Sequence, residues 1–180
     1  LTGISAISLM LNQARIVRAL TQDAQTDPLT GLKNRRVLFD MYEDRPLALG
    51  TAVAVFDLDH FKRVNDQYGH AAGDDVLRYF GNILLACEDK DTTVARTGGE
   101  EFVLVMNNSS IKPAHAKVDQ IRNALSQRPV PTQKGQIFCT VSAGVSFAAG
   151  ANSTLDMLLD EADKALYLAK HNGRDRVVLN

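Results

Sequence analysis

The sequence predicts an α/β fold in which helices pack against a mixed sheet. A continuous apolar run at residues 52–56 is typical of a central strand covered on both faces. Two β-prone runs that meet at Gly98-Gly99 indicate a β-hairpin. Apolar residues recur at helical spacing from Leu155 to Ala169, as in a helix that buries one face. With the segments between them, these elements follow the order α-β-α-α-β-β-α-β-α-β after an N-terminal helix.

Composition and charge restrict the class of protein and its partners. The chain has 180 residues, of which 45% are hydrophobic and 23% charged, so we expect a soluble protein of one large domain, or of one domain with a short appendage. A net charge of −1 gives no electrostatic reason to expect nucleic acid or an anionic membrane as a partner. No apolar run approaches the ~20 residues that span a bilayer. Cys87 and Cys139 fit no metal or redox spacing, and we expect free thiols and a cytoplasmic location.

Residues 1–26 are predicted to form a helix apart from the domain at 27–180. Their apolar positions recur at spacings of three and four, at Ile4, Ile7, Leu11, Ala14, Val17 and Leu20. Such a stripe either packs on its own domain or pairs with a second copy as a coiled coil, and the pattern leaves both open. The chain opens at Leu1 rather than Met, which favours a piece of a longer protein. A membrane anchor elsewhere in that protein stays open.

The other elements follow from prolines, glycines and apolar stripes. Pro28 and Gly31 break the chain before a short helix that Thr30 or Asn34 could cap. A short helix at 60–68 stops at Gly69, and a longer one is expected to begin at Gly73. The expected C-terminal half consists, in order, of a helix at 113–127, an irregular connection at 129–136, a strand at 137–147 interrupted near Gly144, a helix capped by Ser153 and a strand at 176–179.

Glu100 and Glu101 are predicted to lie at the tip of the hairpin. Glycine supplies positive φ without steric cost, and Gly98 and Gly99 also leave room for a ligand near the backbone. Paired acids at a turn without side-chain bulk suit a hydrated divalent cation and phosphate oxygens. Taken alone, the stretch fits an ordinary hairpin with solvated acids at least as well.

Asp57 and Asp59 close the apolar central strand. Alternate residues of a strand point the same way, so these carboxylates are expected to share a face. They leave the strand at its carboxyl end, where open α/β sheets bind ligands. Asp59 could instead cap the helix that follows.

The helix after Asp59 adds polar groups to the same region. Its N-terminus offers backbone N–H groups to an anion. Asn65 and Asp74 flank the corner between the two helices, and together they could read the edge of a guanine. Each alone fits a helix cap or a solvated residue.

Six segments, in order, resemble the GGDEF diguanylate cyclase family, here in a GGEEF form. They are DPLTGLKNR at 27–35, FDLDHFKRVND at 56–66, GHAAGDDVL at 69–77, RTGGEEF at 96–102, SAGV at 142–145 and ADKALYLAKHNGR at 162–174. The resemblance implies a ferredoxin-like core related to nucleotide cyclases and polymerase palms. It implies condensation of two GTP into cyclic di-GMP and two pyrophosphates by a homodimer. Each subunit would hold one GTP, with catalytic faces opposed and the N-terminal helices paired below an upstream sensor.

The resemblance also implies roles for individual residues. Asp57, the Leu58 carbonyl and Glu100 match the ligands of Mg²⁺, for which Mn²⁺ could substitute. Glu101 matches a residue required for turnover, either at the metal or as a base toward the 3′-hydroxyl. Lys170 and Arg174, at i and i+4 on one face near a helix end, match further phosphate contacts. The remaining matches are Lys62 with the backbone of His60 and Phe61 on the β- and γ-phosphates, Asn65 and Asp74 on guanine, and Gly98 and Gly99 beside the nucleotide.

One family feature is missing from the sequence. The product-inhibition motif, Arg-x-x-Asp, would place its two functional residues at Asp89 and Thr92, and neither matches. We therefore expect weak or absent inhibition through that site. The alternative to an active cyclase is an inactive domain that binds GTP or cyclic di-GMP. Degenerate members lose metal or turn residues, whereas Asp57, Glu100 and Glu101 are all present here.

Overall fold

The computed structural model describes residues 25–43 and 45–180. The predicted N-terminal helix and its coiled coil lie outside the described residues, apart from positions 25 and 26. The helices are α1 (Arg35–Tyr42), α2 (Phe61–Tyr68), α3 (His70–Leu85), α4 (Ile111–Ser126) and α5 (Leu155–His171). The strands are β1 (Lys33–Asn34), β2 (Ala52–Leu58), β3 (Thr92–Arg96), β4 (Glu101–Met106), β5 (Val130–Thr132), β6 (Gly135–Ile137), β7 (Val141–Phe147) and β8 (Val177–Leu179).

The main sheet has six strands in the order β1-β3-β4-β2-β7-β8. Strand β2 lies between β4 and β7 and is antiparallel to both, whereas β1 and β8 add parallel edges. The path from β2 through α2 and α3 to β3 and β4, and then through α4 to β7, is the β-α-β-β-α-β connection of a ferredoxin-like fold. The predicted α/β class with a mixed sheet is confirmed.

Apolar clusters cover both faces of the sheet. On one face Phe80 of α3 lies between Phe56 and Phe102, with ring centroids 5.7 and 5.0 Å away. On the other face, Val53 and Val55 of β2 join the cluster that includes α1 and α5. Because side chains alternate along a strand, the next position on the α5 face is residue 57. The packing of β2 thus decides where its last carboxylate points.

Strand β7 corrects one sequence-based expectation and explains a glycine. The strand predicted over 137–147 with a break near Gly144 is wrong, because β6 ends at Ile137 and β7 runs unbroken through Gly144. A Cβ on Gly144 would lie 2.0 Å from the carbonyl oxygen of Ala162 and 2.3 Å from the nitrogen of Leu166. The glycine therefore lets the backbone of α5 pack directly against the sheet.

Three other local predictions are corrected. Strands β5 and β6 form a hairpin where an irregular connection was expected. Helix α3 begins at His70 rather than Gly73. The N-cap of α5 is Thr154, whose hydroxyl accepts a hydrogen bond from the Met157 nitrogen at 3.3 Å, whereas the Ser153 hydroxyl bonds to Gly150. The Asn34 cap of α1 is confirmed by a 3.0 Å bond from the Val37 nitrogen.

Within the part of the chain that the structure describes, no helix combines the length and apolar character needed to cross a bilayer.

Candidate active site

Strand β2 delivers Asp57 to the C-terminal edge of the central strands. Asp57 lies opposite Glu101 of β4 and Ser142 of β7. The side chain of Asp57 is only 10% exposed, and its Oδ2 accepts a 2.8 Å ion pair from the Nζ of Lys170. The lysine comes from the last turn of α5, which packs on this face of β2. Asp57 and Lys170 are far apart in sequence, and they meet because α5 packs on the sheet.

The hairpin between β3 and β4 presents its two acids differently. Glu100 lies in the turn, and its carbonyl accepts a hydrogen bond from the Leu58 nitrogen at 3.3 Å. Glu101 is already the first residue of β4, so only one of the two acids lies at the tip. The predicted positive φ is wrong for Gly98 and Gly99, since neither is among the glycines with that conformation. A Cβ on Gly98 would instead lie 2.7 Å from the Glu101 carboxylate, so this glycine provides room for the acid.

Arg96 holds the hairpin turn in place, which the sequence analysis missed. Its Nη2 donates to the Gly99 carbonyl at 2.7 Å, and its Nη1 donates to the Asp27 carboxylate at 2.9 Å. The same carboxylate accepts from the Thr30 nitrogen and hydroxyl. Both Asp27 and Arg96 lie in segments that carried the family resemblance. Their presence there was the available signal, but nothing in the spacing indicated that they pair.

The pKa values of two carboxyl groups in the site, Asp57 and Glu100, are raised. Burial raises the pKa of Asp57, and the nearby charge of Asp59 adds to this, while Lys170 acts in the opposite direction. Burial also raises the pKa of Glu100, followed by repulsion from the Asp57 and Glu101 charges. A cation between these carboxylates would relieve the repulsion.

The groups expected to contact phosphate follow strand β2 or lie at the end of helix α5. His60 is the N-cap of α2 with a φ of +55°, Phe61 is buried, and Lys62 is exposed. Lys170 and Arg174 do not share a helix face as predicted, because α5 ends at His171. Arg174 lies in the following turn with a φ of +62°. Its charge acts to lower the pKa of Asp57, against the larger effect of burial, which raises it.

The corner between α2 and α3 brings the two predicted guanine contacts together. A Cβ on Gly73 would lie 1.9 Å from Oδ1 of Asn65, so the amide packs against the glycine. Asp74 is the next residue of α3 and is partly exposed. Gly73 thus provides space for Asn65 beside Asp74, although it was predicted only as the start of a helix.

Asp59 is not a helix cap. One carboxylate oxygen accepts a hydrogen bond from the Ser142 hydroxyl at 2.7 Å. The other accepts from the Thr140 hydroxyl at 2.7 Å and from the Asp175 nitrogen at 3.1 Å. Asp59 therefore joins the end of β2 to β7 and to the turn that carries Arg174.

Residues 24–176 match the family model described as diguanylate cyclase, GGDEF domain. The chain belongs to the GGDEF family. Diguanylate cyclase A of Treponema denticola is 33% identical over 184 aligned residues, which cover 98% of this chain and 48% of that protein. This GGDEF chain thus spans about half the length of that curated relative.

The fold of this chain is similar to those of solved GGDEF structures. The coiled coil and GGDEF domain of DgcB from Caulobacter crescentus, in complex with c-di-GMP, aligns with a TM-score of 0.88 and 26% identity, covering 98% of this chain and 96% of that one. The active GGEEF domain of a diguanylate cyclase from Vibrio cholerae aligns with a TM-score of 0.70 and 28% identity, covering 82% and 96%. The GGEEF form of the motif is thus present in a relative described as active.

The donor set suits the divalent metal that diguanylate cyclases of this family use. Among the described residues, no group of three or more His, Cys, Asp or Glu side chains could hold a metal by itself. Mg²⁺ commonly takes one or two carboxylates and completes its octahedron with water and substrate phosphates. Asp57 and Glu100 would supply two such carboxylates, and the Lys170 ammonium is paired with Asp57 in the structure. Asp57 and Glu100 therefore fit a divalent cation.

At the positions of the GGDEF product-inhibition motif, this chain has residues of a different chemical type. Asp89 and Thr92 form a turn through reciprocal backbone hydrogen bonds of 3.2 and 3.3 Å. Lys117 of α4 donates to the Thr92 hydroxyl at 2.8 Å and lies 3.6 Å from the Asp89 carboxylate. The motif's arginine, whose planar fork would grip a phosphate or a guanine edge, is replaced by a carboxylate.

Cyclic di-GMP added to the purified protein is expected to inhibit only by competing with GTP. The carboxylate of Asp89 repels the phosphates of the product, and Thr92 offers no charge to guanine. Initial rates measured over a matrix of GTP and cyclic di-GMP concentrations check this. Tight non-competitive inhibition at low micromolar product would contradict it. An Asp89→Arg, Thr92→Asp double variant is the matched control, and we expect it to gain such inhibition.

Proposed function

We propose that this domain is a diguanylate cyclase that condenses two GTP into cyclic di-GMP and two pyrophosphates. The observation that supports it is the pairing of Asp57 with Lys170 beside the Glu100 turn, at the end of the central strand. Phosphoryl transfer depends on charge neutralisation and in-line positioning more than on covalent chemistry. Carboxylates for a cation and ammonium or guanidinium groups for phosphates are the parts that such a reaction requires.

Different groups of the protein would bind the metal and the phosphates. Asp57, Glu100 and the Leu58 carbonyl would hold Mg²⁺, or Mn²⁺ in its place. The bound ion would neutralise phosphate charge and orient the attacking and leaving oxygens. Lys62 and the first backbone N–H groups of α2, at His60 and Phe61, would bind the β- and γ-phosphates. Arg174 would bind phosphate beside Lys170, which exchanges its Asp57 partner for the nucleotide.

Glu101 is assigned to turnover rather than to the fold. Its carboxylate lies against Gly98, on the strand position opposite Asp57. It either takes part in metal binding or accepts the proton of the attacking 3′-hydroxyl. Gly98 accommodates this carboxylate, and Gly99, where a Cβ would meet nothing within 4 Å, leaves room for the nucleotide beside the strand.

Two copies of the domain are needed for the reaction. Each would hold one GTP, and their catalytic faces would oppose each other in a homodimer so that each 3′-hydroxyl attacks the other α-phosphate. We propose that the N-terminal helix pairs with its copy as a coiled coil below an upstream sensor, in the cytoplasm. The likeness to the coiled coil and GGDEF domain of DgcB over 98% of this chain supports this arrangement.

The decisive experiment is incubation of the protein with GTP and Mg²⁺, followed by chromatography of the products. High protein concentration is required, because the encounter of two GTP-loaded domains depends on it. Cyclic di-GMP and pyrophosphate in a 1:2 ratio are the expected products. GTP that binds and is recovered unchanged at all protein concentrations would favour the alternative, an inactive regulatory domain that binds GTP or cyclic di-GMP.

Asn65→Ala is expected to lower the preference for GTP over ATP by about tenfold in kcat/KM, the effect of losing about one hydrogen bond. The amide of Asn65, held against Gly73, and the carboxylate of Asp74 would together read guanine. Competition between the two nucleotides in one reaction measures the ratio. Gln67→Ala, on the exposed side of the same helix, is the control. An unchanged ratio in Asn65→Ala would remove Asn65 from the base site.

A further inference from the structure

The turn that carries Arg174 has a strained backbone. Gly173, Arg174 and Asp175 are consecutive and have φ values of +111°, +62° and +44°. Glycine adopts such values freely, but residues with a Cβ do so at a cost. Strain of this kind persists only where surrounding contacts hold it, and it occurs often at functional sites.

Contacts from three parts of the fold hold this turn. The Asp175 nitrogen donates to the Asp59 carboxylate at the end of β2, at 3.1 Å. The Asp175 carboxylate accepts from Nη1 of Arg122, on α4, at 2.6 Å. The Arg174 nitrogen donates to the carbonyl of Ala169 in α5 at 3.0 Å. We refer to Asp59, Asp175 and Arg122 as the latch.

The two outer members of the latch are themselves fixed. Asp59 is 6% exposed, and two hydroxyl groups donate to its carboxylate, as described above. The side chain of Arg122 is 15% exposed, and its Nε also donates to Asp119 on the same helix at 2.8 Å. Neither side chain needs the nucleotide to complete its contacts, so the latch is present before substrate binds.

We propose that Asp59 and Arg122 are positioning residues that hold Arg174 toward the phosphate end of the nucleotide site. The inference rests on the proposed function, in which Arg174 binds phosphate. The hydrogen bond from the Asp175 nitrogen to Asp59, two residues after Asp57, is a second observation in its favour, because it joins this turn to the end of β2. Without the latch, Asp175 and Arg174 relax toward negative φ, and the guanidinium loses its fixed direction. The triphosphate then has to order the turn as it binds, which weakens its affinity.

Arg122→Gln tests this role, because it removes the charge that holds Asp175 and leaves Asp59 in place. Binding of a non-hydrolysable GTP analogue and of GMP is measured by calorimetry with Mg²⁺ present. We expect about tenfold weaker binding of the analogue, as for the loss of one ordered charged contact, with GMP affinity unchanged. Arg122→Lys should recover part of the loss, because it keeps the charge. Asp119→Asn is the control, since it removes the charge of one helix-side partner of Arg122 and leaves Asp175 in place.

Amide hydrogen exchange of the nucleotide-free protein tests the latch independently of any binding. The Asp175 amide is expected to be protected in the wild type and to exchange at least tenfold faster in Arg122→Gln. Asp59→Asn, which keeps an acceptor for this amide, should retain more protection than Asp59→Ala. Equal exchange in the wild type and Arg122→Gln would overturn the latch.

The remaining outcomes separate the inference from the function on which it rests. If Arg122→Gln binds the analogue as well as the wild type does, or loses analogue and GMP affinity equally, the positioning role is wrong and the proposed function stands. If the wild type binds neither nucleotide, the proposed function fails and the positioning role fails with it.

Discussion

Glu100→Gln is expected to abolish formation of cyclic di-GMP, by about 10³-fold or more, as for loss of a charged group that stabilises the transition state. The amide has nearly the same shape but a weaker affinity for a hard cation, so the metal loses one of its two carboxylates. The assay is product chromatography at saturating GTP, repeated with Mn²⁺. Glu161→Gln is the matched control, because it lies on α5 near Phe147 and Gly150, outside the site. Near-normal product formation by Glu100→Gln would refute the role of Glu100.

The same substitution is expected to stabilise the metal-free protein. The folded state raises the pKa of Glu100 above its ordinary value of 4.5, so it binds the proton more tightly than the unfolded chain does. The contribution of Glu100 to stability is therefore greatest below pH 4.5 and is lost as the pH rises through the raised pKa. Glutamine carries no charge and removes this fall. Thermal unfolding in a chelator from pH 4 to 8 checks this sign, and a lower midpoint for Glu100→Gln at pH 8 would contradict it.

Gly144→Ala is expected to destabilise the protein by about 3 kcal/mol, at the upper end of overpacking effects. The new methyl group would lie 2.0 Å from the Ala162 carbonyl oxygen, and a backbone atom cannot rotate away. Helix α5 has to move outward, and Lys170 moves with it away from Asp57, so activity should fall as well. Urea unfolding measures the change.

Gly150→Ala is the control for this substitution. A Cβ there meets nothing within 4 Å, and Gly150 is not among the glycines with positive φ. We expect its unfolding free energy to stay within about 0.5 kcal/mol of the wild type. Equal stability of Gly144→Ala and the wild type would show that α5 is not packed directly on β7.

Short-range patterns predicted most of the fold and the places in it of two candidate site residues. The apolar run was sufficient to predict β2, and the glycine pair between two β-prone runs was sufficient to predict the β3–β4 hairpin. Each of these elements is determined by residues that are neighbours in sequence. Asp57 and Glu100 could be placed at the end of β2 and in the hairpin turn for the same reason, since each directly follows such a pattern. The β5–β6 hairpin was missed because three-residue strands contain too little periodicity to be recognised.

Long-range contacts explain the remaining differences. Gly144 was interpreted as a break in its strand, although its function is to admit a helix that begins eleven positions later, at Leu155. Arg174 was placed on a helix face because a spacing of four fits a helix, but the turn at Gly173 intervenes. The partners that hold this turn, Asp59 and Arg122, lie in other parts of the sequence, so no local pattern indicates them.

The separation of Asp57 and Lys170 along the chain has a consequence for biosynthesis. Asp57 leaves the ribosome with β2, whereas the ammonium that neutralises it arrives only with the last turn of α5. Until then the central strand ends in a carboxylate whose burial is unfavourable and uncompensated. Stable docking of β2 between β4 and β7 therefore depends on the C-terminal helix. The domain would become able to hold nucleotide abruptly, once α5 has been synthesised, rather than by degrees.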